Sequence, residues 1–118
     1  MPKFIIKIKV TNNGDAPIRT YVRASLVGTK NQVEYYNKSD DIQWTFHPGE
    51  NIIQRYLTTD LGQPQKYNLF VALWSIEKPI GQGTRYAVVV VTNAVEKKKK
   101  QPGVSLSVGI MDYFPRAF

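Results

Sequence analysis

Apolar and polar residues alternate with period two along almost the whole chain, and this constrains the fold more than any other feature. Residues 3–11 place Phe4, Ile6, Ile8 and Val10 on one side and Lys3, Lys7 and Lys9 on the other, with Ile5 the exception. Side chains on an extended strand point alternately to opposite faces, so this pattern predicts a half-buried strand. Residues 17–28 repeat it, with Ile18, Val22, Ala24 and Leu26 opposed to Arg19, Tyr21 and Arg23. Further strands are predicted over 33–37, 41–47, 51–59, 67–76, 85–95 and 104–110. In the fourth of these eight, Ile42, Trp44 and Phe46 are expected to point inward. Turn chemistry separates them: Asn12-Asn13-Gly14-Asp15, Lys38–Asp40, Pro48-Gly49, Gly62 with Pro64, and Gly81 with Gly83. No window of about 11 residues keeps a helical period. About eight short strands at this spacing predict one all-β domain over residues 1–118, an immunoglobulin-like antiparallel β-sandwich, with a jelly roll as the alternative.

The turns carry a resemblance. Val10-Thr11-Asn12-Asn13-Gly14 closes the first strand, and Tyr21-Val22 lies in the second. Phe46-His47-Pro48-Gly49-Glu50 precedes a middle strand, followed by Leu57, Gly62 and Tyr67-Asn68-Leu69-Phe70-Val71. Over roughly residues 6–91 this resembles the cell-adhesion-related modules of the CARDB type, with their V-x-N-x-G, P-G-E and Y-x-L-x-V signatures. The resemblance implies an immunoglobulin-like sandwich and, more loosely, a cell-surface adhesion module.

Charge enters next. Sixteen Lys and Arg against nine Asp and Glu give a net charge of +7, but the four lysines Lys97–Lys100 are one run, and without them it is +3. The run is predicted to be an exposed loop before Pro102-Gly103, because adjacent like charges repel and stay solvated. If strands 3–11 and 17–28 pair as a hairpin, Lys3, Lys7 and Lys9 share a face with Arg19, Tyr21 and Arg23. Cations interleaved with an aromatic suit a phosphate backbone and unstacked bases. That face, with Lys97, Lys98, Lys99 and Lys100, is the candidate polyanion site. The competing expectation is that these charges only protect strand edges from pairing.

Chemistry is sparse. With no cysteine there is no disulfide, thiol nucleophile or cysteine-ligated metal. The single histidine, His47, stands beside Glu50, and a solvated strand end explains it better than an acid–base pair. Asp40-Asp41 and Asn12–Asp15 offer oxygen ligands, but turns need those residues anyway. Gly81-Gln82-Gly83 has no following helix to cradle a phosphate. No enzyme, cofactor, metal or small-molecule substrate is expected.

What remains is apolar excess. Phe70, Ala72, Trp74 and Ile76 oppose Leu69, Val71 and Leu73, while Val88 and Val90 oppose Val89 and Val91. A sandwich buries one face of each strand, so the second face needs a cover. The expected oligomer interface is Phe70, Ala72, Trp74, Ile76, Val88 and Val90, with Tyr113, Phe114 and Phe118 of the aromatic tail docked on a neighbour. The sequence therefore predicts a non-catalytic, self-associating subunit of a surface filament, sheath or virion shell, a homo-oligomer. A nucleic-acid or polyanion-binding module is the second reading. No apolar run approaches the roughly 20 residues of a membrane span. The opening MPKFIIKIKV lacks the length and cleavage site of a signal peptide. Richness in Asn, Gln and Thr favours an extracellular or virion surface.

Overall fold

The computed structural model describes residues 3–61, 64–92 and 95–114. Among the described residues nine strands form in chain order: β1 Phe4–Asn12, β2 Ile18–Gly28, β3 Glu34–Tyr35, β4 Ile42–Phe46, β5 Gly49–Leu57, β6 Tyr67–Trp74, β7 Arg85–Thr92, β8 Val95–Lys100 and β9 Leu106–Phe114. They make an all-β sandwich of two antiparallel sheets. The smaller has three strands in the order β5-β1-β9. The larger has six: β2-β6-β7-β8 run side by side, and β3 and β4 share the far edge of β2.

The alternation decides which residues lie between the sheets. From β1 come Phe4, Ile6, Ile8 and Val10; from the large sheet come Val22, Leu26, Leu69, Val71, Leu73, Ala87, Val89 and Val91. Leu57, Ile53, Leu106 and Val108, with Ala24, Phe46 and Tyr67, complete the layer. A register slip of one residue would turn each apolar set outward, so burial fixes the pairing.

Between β1 and β2 the chain changes sheet, and asparagines make the corner. Asn12, 1% exposed, donates from Nδ2 to the carbonyls of Ala16 and Phe46, and its Oδ1 accepts the Gly14 N–H at 2.9 Å. The chain changes sheet again between β4 and β5. Gly49 there has φ of +96°, a region that favours glycine. Asn51 Nδ2 donates to the His47 and Val10 carbonyls, and its Oδ1 accepts the His47 N–H. At the other end of β5, the Asp40 carboxylate, in a short 3-10 turn over Lys38–Asp40, accepts the Thr58 N–H at 2.7 Å, and Arg55 donates to the Asp40 carbonyl.

Several expectations are corrected. The lysines 97–100 are not a loop: they pair with β7 from Ala87↔Lys100 to Val90↔Lys97 and form the edge of the large sheet. Residues 3–11 and 17–28 do not pair, because β1 and β2 lie in different sheets. The expected 33–37 strand shrinks to Glu34–Tyr35. Trp44 lies on the inner face opposite Thr20, yet is 43% exposed, since the three-stranded sheet does not reach over edge strand β4.

Thr20 itself is fully buried, and its hydroxyl has no hydrogen-bond partner among the described residues. A buried hydroxyl without a partner retains its desolvation cost. Thr20→Val removes the hydroxyl and keeps the branched shape. It should raise the unfolding free energy by about 1 kcal/mol, read from urea midpoints; an unchanged or lower midpoint would refute this.

Candidate functional site

The outer face of the large sheet is built by the residues that the alternation leaves over. Cross-strand register aligns them in rows. Ser25, Phe70, Val90 and Lys97 form one row, and Arg23, Ala72, Val88 and Lys99 the next. Tyr21 and Trp74 form a third, which Arg85 closes with its guanidinium 5.8 Å from the Trp74 ring centroid. Phe70, Ala72, Trp74, Val88 and Val90 thus share one apolar strip, as the sequence pattern requires. The strip is only half open: Ala72 and Val88 are buried outside the inter-sheet core, while Phe70, Trp74 and Val90 are partly exposed. Along its β8 side runs a groove of about 470 Å3 lined by Asn68, Phe70, Val88, Val90, Thr92 and Lys97–Lys99. A smaller one continues it past Val88 and Lys99 to Arg85, Lys100 and Gln101.

The remaining expected interface residues lie elsewhere. Ile76 follows the end of β6 and is exposed. Tyr113 and Phe114 belong to β9 in the other sheet. Tyr113 pairs with Ile6 and faces inward, against the core; Phe114 pairs with Ile5 and is 67% exposed. Across β1, Ile5 also pairs with Tyr56, so Phe114, Ile5 and Tyr56 form a second patch on the opposite outer face, apolar apart from the Lys3 ammonium over the Tyr56 ring. Phe118 lies outside the described residues.

The expected basic hairpin face is dismantled. Lys3, Lys7 and Lys9 stand on the small sheet's outer side. Lys3 Nζ caps the Tyr56 ring at 4.2 Å, and Lys9 pairs with Glu50 at 3.5 Å. Arg19, Tyr21 and Arg23 stand on the large sheet's outer side. Arg19 donates to Gln43 and Thr45. Arg23 grips both Asp41 oxygens, the shortest contact at 2.7 Å, and stacks on Tyr36. The Asp41 hydrogen bond pushes the Arg23 pKa above its ordinary value against the opposing effect of burial. On β8, Lys97 and Lys99 point outward; Lys98 turns toward Glu96, whose Oε1 accepts the Ile110 N–H of β9.

The candidate metal ligands are committed to structure. Asp40 caps Thr58, Asp41 holds Arg23, and Asn12 stitches the corner. Among the described residues no three His, Asp or Glu cluster as a metal site would require, and no helix is long and apolar enough to cross a membrane. Sequence reasoning missed the exposed Trp44 and Ile52, which line an open cleft between β4 and β5 with Arg19, Gln43 and His47. It also missed Arg85 as the end of the apolar strip. Only its neighbour in register, Trp74, places it there.

Arg23 and Asp41 retain only 14% and 11% side-chain exposure, so neither carries its charge cheaply alone. Asp41→Ala strands the guanidinium and should cost about 1–3 kcal/mol. Replacing both, with Arg23→Met and Asp41→Leu, should recover most of that. Thermal melts of the three proteins check it; a wild-type melt for Asp41→Ala would remove the pair from the forces holding β4 to β2.

No family model matches the chain, and neither the curated proteins nor the solved structures offer a match.

Proposed function

We propose that the protein is a non-catalytic structural subunit that assembles with copies of itself through its two outer sheet faces. One observation carries the reading: Phe70, Ala72, Trp74, Val88 and Val90 line up on the solvent side of strands whose other side is already core. A strand that needs only one apolar face does not spend β-branched and aromatic residues on both unless the second meets something. The mechanism is desolvation of this strip against a neighbour. The opposite face supplies the other half of the contact, with Phe114, Ile5 and Tyr56. Two different patches on opposite faces make a head-to-tail contact, which propagates as an open filament or sheath when its rotation does not close a ring. The resemblance to adhesion modules accords with a protein that works by association, and a cell or virion surface suits such an assembly.

Phe70→Lys and Phe114→Lys each place a charge in one half of the contact, where desolvating it costs several kcal/mol. Light scattering should find assemblies for the native chain and 13.5 kDa monomers for either variant. Mixing the two variants should give dimers, because each keeps the half the other has lost. A native chain that is monomeric at high micromolar concentration ends this reading, and a mixture that stays monomeric ends its head-to-tail geometry.

A further inference from the structure

The groove along β8 is more specific than an assembly surface requires. Its outer wall carries Lys97 and Lys99, and its continuation ends at Arg85. Among the described residues the one acid of this strand, Glu96, is engaged with Lys98 and with the Ile110 N–H on the inner side. The outer wall thus presents positive charge with no acid beside it. Its floor is apolar, formed by Phe70, Val88 and Val90, with Trp74 at the Arg85 end. Alternate residues on a strand lie about 6.7 Å apart, and Lys97 and Lys99 repeat at that interval along a straight wall. An extended single-stranded nucleic acid offers the matching partner: phosphates at a comparable interval on one side, and base faces to lay on an aromatic on the other. A duplex hides its base faces and gains nothing from the apolar floor. A lipid surface is flat and is poorly matched by a recessed floor behind a lysine wall.

We infer that the β7–β8 groove binds single-stranded nucleic acid, with Lys97, Lys99 and Arg85 on successive phosphates and Phe70 beneath a base. This goes beyond the assembly reading and holds for the monomer. Phe70, Val88 and Val90 serve both contacts, so a bound strand and a neighbouring subunit exclude each other there.

The test is fluorescence anisotropy with labelled oligothymidylate, run at protein concentrations where scattering shows monomers, so that failure of assembly does not affect the result. Three phosphate contacts predict a log–log salt slope of about −2. Lys97→Ser with Lys99→Ser, both exposed and safe for folding, should reduce that slope by about 1.4. Phe70→Leu keeps the floor apolar and should weaken binding roughly ten-fold while leaving the slope alone. Duplex should bind more weakly than the single strand. The inference is overturned by binding that ignores the lysine pair, by duplex binding as tight as the single strand, or by dextran sulfate binding equally well with Phe70→Leu silent. It is also overturned if phosphatidylserine vesicles bind through Lys97 and Lys99 while the oligonucleotide does not.

Discussion

Everything in this molecule depends on one layer of side chains between two sheets of unequal width. Ile6, Ile8 and Val10 at the centre of the small sheet meet Leu69, Val71, Leu73 and Val89 at the centre of the large one. That contact sets each register and assigns inward and outward along every strand. Because three strands cannot cover six, the rim of the large sheet is covered unevenly: Phe46 of β4 is buried, while Trp44 and the β8 lysines stay open. Near β3 and β4, Arg55 and Asp40 close the seam with hydrogen bonds. On β8 the residues are lysines, whose stems cover apolar neighbours while their ammonium groups stay in water.

The outer faces inherit what the inner layer leaves. An alternating strand assigns every second residue to solvent, so a chain can write a second message there without disturbing the first. On β1 that message is lysine. On β6 and β7 it is apolar, and the rows Phe70–Val90 and Ala72–Val88 follow directly from the core pairing of Leu69 with Val91 and Val71 with Val89. The outer apolar strip is thus a by-product of the same register that makes the protein stable.

The sandwich class and most strand positions were legible because period two is a local signal. The outer strip was legible for the same reason, since Phe70, Ala72 and Trp74 alternate with core residues in one run of sequence. What stayed hidden was nonlocal or positional. Whether β1 pairs with β2 or with β5 and β9 depends on strands up to a hundred residues away in sequence, so the supposed basic hairpin face was not decidable from its own residues. The lysine run read as a loop because its side chains are uniformly polar, yet an edge strand with little cover tolerates that composition and benefits from it. Trp44 points inward as alternation requires. No local pattern records that the opposite sheet stops short of it.

The pairing of β1 with β9 has a mechanical consequence. These strands are antiparallel neighbours, and Ile5 lies beside Phe114, so the first and last described strands begin and end at the same edge of the domain. A force drawing those two points apart runs across the hydrogen bonds of the ladder, not along the strands. Such a load falls on one rung at a time, starting at Ile5–Phe114, and the pair opens like a zip. The small sheet would then lose β9 before the inter-sheet layer resisted as a whole. In the proposed filament, tensile strength would come from face-to-face packing, which loads the whole layer at once, and none from tension carried through the backbone.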